Sequence, residues 1–271
     1  MICWLNGAYE NIEQARIDPR DRGFLLGDGI FETMLAVDGA VHHANLHLAR
    51  LSGAAELLGI PMPFSNVEIT DAMINLLKAN HLTLERAALR LTLTRGVGAR
   101  GVAPPSEVEP VILMTVVSAP PPPVQMRGII SSYVRNEKSV SSRIKSLNYL
   151  DNILARNEAV QQGADEALMC NSAGDIACAS AANIFIAADG VLYTPPVGNG
   201  ALAGIMRGII MEAAMAQNIP FHEAPISRAA LANASEAFLT NALIGVCPLT
   251  GIDGLPVGSG ETGPITRRLR A

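Results

Sequence analysis

Lys145 is the residue whose surroundings point most clearly to chemistry. The chain has only three lysines, Lys78, Lys138 and Lys145, and the last stands in the segment RIKSL at positions 143–147. Burial among apolar side chains lowers the pKa of a lysine amine, and the uncharged amine can form a Schiff base with an aldehyde. The same context fits a surface lysine at a helix start, so the local sequence alone leaves both interpretations open.

A second feature is a candidate phosphate cup. Pyridoxal phosphate, the commonest lysine-bound cofactor, needs an arginine and backbone N–H groups at a helix N-terminus. The segment LAGIMR at 202–207 predicts such a start, because Gly204 allows close approach and the N–H groups of Ile205 and Met206 can donate. Arg50 lies between apolar positions of a predicted helix and is a candidate for the arginine. It fits equally a snorkelling surface arginine.

A glycine-rich loop supplies another cation. The segment RGVGARG at 95–101 follows a predicted strand, and Arg100 at its tip is a candidate ligand for a substrate carboxylate, which arginine binds bidentately. Taken alone, the loop is also compatible with a solvated turn. Its glycine order matches neither the dinucleotide fingerprint nor the P-loop.

The composition narrows the classes of partner. The 271 residues carry a formal net charge of −5, whereas nucleic-acid binding draws on clustered Lys and Arg, so no nucleic-acid partner is expected. No apolar run reaches the ~18 residues of a membrane span. The cysteines lack C-x-x-C spacing, so no metal site is predicted. The N-terminal segment has no basic region before an apolar run, which makes the cytoplasm the expected location.

The elements that must position these residues divide at four consecutive prolines, 120–123. We predict a small N-terminal domain at 1–117, a proline-rich linker at 118–124 and a larger C-terminal domain at 125–271. In the first domain the patterns predict three strands and two helices, the second helix opened by a Ser65/Glu68 capping box. The predicted strands are 29–38, 87–94 and 110–117, the last an apolar run expected to be buried on both faces, and the first helix is 45–58.

The C-terminal half alternates in the same way, so the fold class is mixed α/β. Two tight turns, at 171–175 and 188–190, predict hairpins. The predicted strands are 128–134, 167–170, 176–179, 183–187, 191–194 and 237–240, and the predicted helices are about 147–162, 204–217 and 229–234.

Seven segments occur in the order typical of class IV aminotransferases, the fold-type IV pyridoxal-phosphate enzymes. These are GDGIFET (27–33), HLARL (47–51), RGVGARG (95–101), IKSLN (144–148), AANIF (181–185), GIMR (204–207) and NAL (241–243). The resemblance implies a two-domain α/β (α+β) fold with a smaller N-terminal α/β domain and a larger, β-barrel-like C-terminal domain with helices. It also implies a small-molecule substrate and a homodimer whose active site lies near the subunit interface.

The resemblance also assigns roles. Lys145 matches the Schiff-base lysine and proton carrier, Arg50 the phosphate arginine, and Arg100 the carboxylate-binding loop arginine. Phe31 falls in the substrate site, and Thr33 matches a threonine thought to assist Lys145 in proton transfer. The phosphate cup is completed by Ile205, Met206, Asn241 and Ala242.

Three activities of this family compete. D-amino-acid transaminases bind the carboxylate with a tyrosine, an arginine and a histidine, whereas this chain has Phe31, Arg100 and Val102. Branched-chain aminotransferases usually have a glycine where Thr33 stands. Aminodeoxychorismate lyases resemble the chain best, so we predict a lyase that converts 4-amino-4-deoxychorismate to 4-aminobenzoate and pyruvate for folate synthesis. The alternative is an aminotransferase acting on D-amino acids, branched-chain amino acids or another small amine.

Cys178 is the one informative departure from the pattern. The family normally has a glutamate there, five residues before Asn183, which keeps the pyridine nitrogen of the cofactor protonated. A neutral thiol cannot stabilise a pyridinium as a carboxylate does. We therefore expect a less electrophilic cofactor, which disfavours transamination more than an elimination with an aromatic product. A third possibility is a pyridoxal-phosphate-binding protein with little turnover.

Overall fold

The computed structural model describes residues 1–270, which form two compact units. The first unit comprises Met1–Pro121 together with Lys145–Asn148, and the second comprises Pro122–Ile144 and the chain from Tyr149 onward. The segment that carries Lys145 therefore packs with the first unit, although it follows the proline stretch in the sequence.

The first unit is built on a six-stranded sheet of order β2-β1-β6-β5-β3-β4, all neighbours antiparallel. Its elements are β1 (Ile2–Leu5), β2 (Ala8–Asn11), α1 (Arg22–Leu26), β3 (Gly29–Val37), β4 (Ala40–Val41), α2 (Ala44–Leu58), α3 (Asn66–Ala79), β5 (Ala87–Thr94) and β6 (Val111–Ser118).

The two long helices of this unit form as the sequence predicts. Helix α2 ends at Gly59, which is left-handed at φ 64° and donates its N–H back to the last turn. The capping box of α3 is present, with the Ser65 hydroxyl accepting from the Glu68 N–H and the Glu68 carboxylate accepting from the Ser65 N–H. Local side-chain chemistry therefore determines both helix ends.

Strand β5 has the predicted bounds and alternation, but the predicted two-sided burial of the 110–117 strand is wrong. In β6 the buried residues alternate, with Ile112, Met114 and Val116 covered and the residues between them half-buried. Helix α3 packs on β6 and covers one face of the strand. An apolar run does not reveal which face a helix will cover.

The second unit is built on a nine-stranded mixed sheet. Its main path is β12-β11-β10-β13-β14-β7-β8-β9, and β15 pairs with β14. The elements are β7 (Met126–Val134), α4 (Val140–Arg143), α5 (Leu150–Gln161), β8 (Glu166–Cys170), β9 (Ile176–Ala179), β10 (Asn183–Ala188), β11 (Val191–Thr194), α6 (Ile205–Ala216), β12 (Phe221–Glu223), α7 (Arg228–Ala232), β13 (Glu236–Asn241), β14 (Gly245–Ile252), β15 (Leu255–Pro256) and α8 (Pro264–Arg270).

One sequence prediction for this half needs correction, and one long strand was missed. The helix predicted from residue 147 begins at Leu150, because residues 145–147 hydrogen-bond to β3 and Ser146 forms a bridge to Ile30. Strand β14 was not predicted. It contains Pro248, which normally argues against a strand interior, yet this residue sits directly opposite Phe238 of β13. Both hairpins and the helix after Gly204 form as predicted.

The longest helices of the described chain, residues 1–270, fall short of the length and apolar character needed to cross a lipid bilayer.

Candidate functional site

Lys145 is held at an open edge of β3 in the first unit. The Phe31 N–H donates to the Lys145 carbonyl over 2.9 Å, and the Leu147 N–H donates to the Gly29 carbonyl, also over 2.9 Å. These bonds satisfy backbone groups that an edge strand leaves unpaired. The half-buried side chain then places Nζ 4.3 Å from the centroid of the Phe31 ring. The structure thus brings two of the predicted site residues into contact.

Arg90 is a third member of this cluster, and sequence reasoning missed it. Its guanidinium carbon lies 3.9 Å from the centroid of the same Phe31 ring, and its Nε donates to Thr92 Oγ1 over 3.3 Å. Both distances are measured to the same ring centroid. The guanidinium carbon of Arg90 and Nζ of Lys145 can therefore be no farther apart than these two distances added together. The alternation of β5 indicated that Arg90 points away from the core, but only strand pairing reveals that it meets Phe31.

Thr33 lies on the same face of β3 as Phe31, because successive side chains of a strand alternate. It is directly opposite Arg90 in the pairing of β3 with β5. The cluster of Lys145, Phe31, Arg90 and Thr33 is called the amine cluster below. It combines a primary amine, a guanidinium, a hydroxyl and an aromatic ring on one face of the sheet.

The opposite face of β3 carries a buried ion network around Glu32. Its carboxylate accepts from His47 Nδ1 at 2.7 Å, from Arg50 Nε at 2.8 Å and from Arg50 Nη2 at 2.6 Å. Burial raises the pKa of Glu32, but the hydrogen bonds from His47 and Arg50 outweigh this effect and hold the pKa below its usual value of 4.5.

Arg50, the predicted phosphate ligand, is thus oriented by Glu32 and has a side chain 17% exposed. Sequence reasoning missed Glu32 and His47 as its supports. The available signal was the spacing of His47 and Arg50, which puts both on one face of α2.

In the second unit, the start of α6 meets the start of β10 and the end of β13. Gly204 is the N-cap of α6, and no side chain caps this helix among residues 1–270. A Cβ at Gly204 would collide with Asn183 Oδ1, so only glycine allows this approach. Asn183 in turn donates to the Leu202 carbonyl over 2.9 Å and is the direct cross-strand neighbour of Thr240.

Thr240 is a further residue that the sequence did not indicate. It is fully buried, and within residues 1–270 its Oγ1 has no hydrogen-bond partner. Asn183 and Thr240 lie directly opposite each other, so their side chains share one face of the sheet. An orphaned hydroxyl beside the uncapped N-terminus of α6 is suited to an anion.

The structure places the four predicted cup residues around this point. Ile205 and Met206 form the first turn of α6. Asn241 follows Thr240, and its Oδ1 accepts from the N–H groups of Leu243 and Ile244 at 2.9 and 3.0 Å. Its side chain therefore closes the turn in which Ala242 lies.

Cys178 is buried in β9, opposite Met169 of β8, in an apolar cluster that includes Ala155 and Ala159 of α5. Burial raises the pKa of its thiol, and the positive charge of Arg135 offsets this only in part. The thiol is therefore neutral at ordinary pH.

Arg135 is itself buried, and its guanidinium binds neutral oxygens. It donates to the carbonyls of Gly200 and Ser142 and to Asn152 Oδ1, over 3.3, 2.9 and 3.1 Å. Within the described part of the chain, no carboxylate lies close enough to Arg135 to form a salt bridge. Arg135 thus places a buried positive charge near Cys178, and the buried carboxylate of Glu166 places a negative charge near the same thiol.

Arg100, the predicted carboxylate ligand, is exposed in the segment between β5 and β6. It belongs to the first unit, as do Lys145 and Arg50, whereas Cys178 and the four cup residues belong to the second. Each unit therefore groups its own share of the predicted site residues.

Each unit's set of residues suits one part of pyridoxal phosphate. The amine cluster offers the nucleophilic amine that its aldehyde requires, and the α6 N-terminus with the orphaned Thr240 hydroxyl offers donors for its phosphate. When bound, this cofactor withdraws electrons from the carbon that bears the substrate amine.

Comparison with known proteins agrees with this fit. The class IV aminotransferase family model matches residues 29–252. A provisional branched-chain-amino-acid aminotransferase of Methanocaldococcus jannaschii is 34% identical, covering 100% of this chain and 94% of that protein. The D-alanine aminotransferase of Staphylococcus haemolyticus is 32% identical over 98% of this chain and 94% of its own length.

Two solved structures share the fold. The branched-chain amino acid aminotransferase of Escherichia coli superposes with a TM-score of 0.93 at 27% identity, covering 99% of this chain and 92% of its own. A provisional 4-amino-4-deoxychorismate lyase of Legionella pneumophila gives a TM-score of 0.89 at 27% identity, covering 96% and 95%. With a family match across most of its length and residues suited to the cofactor, this chain is a pyridoxal-phosphate-dependent enzyme of the class IV aminotransferase family.

Proposed function

We propose that this enzyme is an aminotransferase that passes the amino group of a small amino acid to a 2-oxo acid. The observation that carries the proposal is the amine cluster, in which Lys145 and Arg90 share the ring of Phe31. An amino acid substrate needs a group that moves its α-proton and a cation for its carboxylate. The similarity to D-alanine and branched-chain aminotransferases favours small apolar side chains over the chorismate-derived substrate that the sequence suggested first.

Each residue of the amine cluster has a defined task in this proposal. Nζ of Lys145 would hold the cofactor aldehyde at rest and, as the free amine once substrate is bound, would accept the α-proton. The guanidinium of Arg90 orients a carboxylate of the substrate. The ring of Phe31 covers one side of Nζ and limits the access of water, while the Thr33 hydroxyl stands ready to assist proton transfer.

The cofactor phosphate is assigned to a separate set of residues. The N–H groups of Ile205 and Met206 would donate to it at the positive end of α6, and the turn of Asn241 and Ala242 adjoins this point. We add the Thr240 hydroxyl to this set because it is buried and lacks a partner within residues 1–270. Arg50, held by Glu32, is the proposed cation for the phosphate.

A lyase acting on 4-amino-4-deoxychorismate is the second candidate, and Cys178 is the observation that favours it. A neutral thiol at the position of the family glutamate would not stabilise a protonated pyridine nitrogen as a carboxylate does. A less electron-withdrawing cofactor suits an elimination that gains aromaticity better than a reversible transamination. The lyase resemblance at Thr33 points the same way.

One assay series separates these functions. The purified holoenzyme is given D-alanine, L-alanine or L-leucine with 2-oxoglutarate, and separately 4-amino-4-deoxychorismate, and the oxo acids formed are measured. Glutamate formed with an amino acid supports the aminotransferase, and its enantiomer reports stereochemistry. Pyruvate released from 4-amino-4-deoxychorismate alone supports the lyase. Failure of every substrate, with cofactor bound at Lys145, would leave only a binding function.

The role of Cys178 is tested by restoring the carboxylate. A Cys178→Glu variant should shift the visible absorbance of the bound cofactor and raise the transamination rate relative to elimination, with Cys170→Ser as a buried-cysteine control. An unchanged spectrum and unchanged rates would show that Cys178 does not act on the cofactor.

We also infer that the enzyme is a homodimer. Three consecutive apolar residues of α1, Phe24, Leu25 and Leu26, are 76%, 58% and 45% exposed in the isolated chain. An apolar surface of this kind is typical of a protein interface. Sedimentation equilibrium of the wild type and a Phe24→Glu variant tests this inference, since a monomeric wild type would contradict it.

A further inference from the structure

The segment between β5 and β6 carries Arg100, and a single side chain from α1 holds it. Residues 99–104 are exposed and form no helix or strand. Their carbonyls at Gly101, Val102 and Ala103 accept hydrogen bonds from Arg22. Within residues 1–270, no other hydrogen bond is made by residues 99–103. The position of Arg100 therefore depends on the hydrogen bonds that Arg22 donates to this segment.

All three nitrogens of the Arg22 guanidinium donate hydrogen bonds. Nη1 donates to Gly101 at 3.0 Å and to Ala103 at 3.1 Å, and Nη2 donates to Val102 at 2.9 Å. Its Nε donates to the carboxylate of Asp28 over 2.8 Å. A planar group with donors fixed in a fork can bind three successive carbonyls and one carboxylate, whereas a lysine ammonium cannot span them.

Asp28 connects this arrangement to the body of the first unit. The same Oδ2 atom accepts from Arg95 Nε at 2.8 Å, and Arg95 also donates to the carbonyls of Leu58 and Gly59 at 2.7 and 3.1 Å. Burial raises the pKa of Asp28, but the hydrogen bonds from Arg95 and Arg22 hold it below the usual 3.8. The Asp28 carboxylate therefore stays ionised at neutral pH.

Gly98 gives Arg22 the space to reach the segment. A Cβ built on Gly98 would lie 2.7 Å from Cδ and 3.2 Å from Cγ of Arg22, inside normal contact distance. The stem of Arg22 thus crosses directly against the backbone of the segment, and it is only 5% exposed. A side chain at position 98 would therefore displace Arg22.

We propose that Arg22 is a positioning residue for substrate binding, because it holds the carbonyls of residues 101–103 and so determines where the Arg100 guanidinium lies. This proposal rests on the proposed aminotransferase function and on the role that the family resemblance gives Arg100, which is to bind a substrate carboxylate alongside Arg90. Arg22 contacts neither substrate nor cofactor in this scheme. Its effect should therefore fall on the binding of carboxylate substrates, with the chemical step left unchanged.

The test compares four holoenzyme variants. Arg22→Lys keeps the charge beside Asp28 and removes the fork, and Gly98→Ala displaces the stem of Arg22 without changing any charge. Arg100→Gln removes the proposed ligand itself. Arg20→Gln is the matched control, since Arg20 is a neighbouring surface arginine that pairs with Asp18. Steady-state kinetics give KM and kcat for the amino acid substrate, and hydrogen exchange follows the amides of residues 99–103.

We expect Arg22→Lys and Gly98→Ala to raise KM about tenfold, the scale of lost charge-assisted hydrogen bonds, with kcat changed less than about twofold. Amide exchange at residues 99–103 should accelerate in both variants, and Arg20→Gln should change neither measurement. Arg22→Lys should add nothing to the KM of Arg100→Gln, because both changes disable the same contact.

Contrary results separate the two proposals. If Arg100→Gln leaves KM unchanged, Arg100 does not bind the carboxylate, and the role that the family resemblance gives this residue is wrong. If Arg100→Gln raises KM while Arg22→Lys and Gly98→Ala do not, the positioning role of Arg22 alone is overturned. Unchanged amide exchange in both of these variants would overturn it as well.

Discussion

The Nζ atom of Lys145 lies 4.3 Å from the centroid of the Phe31 ring. A cation over an aromatic face is attracted by the ring quadrupole, and the ring also removes water from one side of the amine. The contact exists because residues 145–147 hydrogen-bond to the edge of β3, so the backbone pairing sets the position of the amine.

Replacement of Lys145 should abolish the covalent attachment of the cofactor and most of the catalytic activity. We expect Lys145→Ala to lose the visible absorbance of bound cofactor and to lower kcat by at least about 10²-fold, the usual contribution of a positioned acid or base. Borohydride reduction of the wild-type holoenzyme should attach the cofactor to the peptide that contains Lys145. Lys138→Ala is the control, and attachment at Lys78 or Lys138 would disprove the assignment.

Arg90 should control the affinity for carboxylate substrates. Arg90→Gln removes a cation beside Phe31 and is expected to raise KM for the amino acid about tenfold or more, the scale of a lost charged hydrogen bond. Cofactor binding should be unaffected. Arg86→Gln, which removes a guanidinium that donates to the Pro120 carbonyl, is the matched control. Equal KM values for Arg90→Gln and the wild type would exclude Arg90 from the substrate site.

Glu32 should stabilise the protein in a pH-dependent way. Its pKa in the folded protein is below the usual 4.5, so its stabilising effect is complete above pH 4.5 and is lost as the pH falls through the folded value. Glu32→Gln should lower the free energy of unfolding by about 3 kcal/mol at pH 7, because it leaves His47 and Arg50 without an anion.

Urea unfolding between pH 7 and pH 3 measures this effect. The stability difference between the wild type and Glu32→Gln should be constant near neutrality and shrink below pH 4.5. Glu56→Gln, on the exposed side of α2, provides the comparison. A difference that stayed constant down to pH 3 would show that Glu32 does not titrate in this way.

Thr240 should contribute to cofactor affinity. Thr240→Val removes a buried hydroxyl that lacks a partner within residues 1–270, and it keeps the shape of the side chain. We expect pyridoxal phosphate to dissociate about tenfold more readily, as for one lost hydrogen bond to a charged group. Thr240→Ser should restore most of the affinity. If Thr240→Val binds the cofactor as tightly as the wild type, its hydroxyl does not face the phosphate.

Several parts of the fold follow from local sequence. The capping box of Ser65 and Glu68, the glycine after α2 and the alternation of β5 depend on neighbouring residues only, and all three were predicted. The helix after Gly204 belongs to this group, since its start needs only a glycine and an apolar period. The lysine segment at 143–147 could likewise be singled out from its own residues.

The rest required contacts between distant positions. The pairing of β3 with β5 brings Arg90 against Phe31, and the pairing of β10 with β13 brings Thr240 beside Asn183. The pattern predicts a helix from about residue 147, yet the helix begins at Leu150, because residues 145–147 hydrogen-bond to the edge of β3. Strand register and edge pairing are long-range choices that local propensity does not encode.

The sequence by itself therefore determined the chemistry available to this protein: one amine in an apolar segment, a helix start suited to phosphate, and a loop arginine. Tertiary structure alone decided which side chains support them, namely Arg90 at the amine, Glu32 at Arg50 and Arg22 at the segment that carries Arg100. The physical reason is that residue type sets what a side chain can do, whereas its partners are set by packing and hydrogen bonds between segments far apart in the chain.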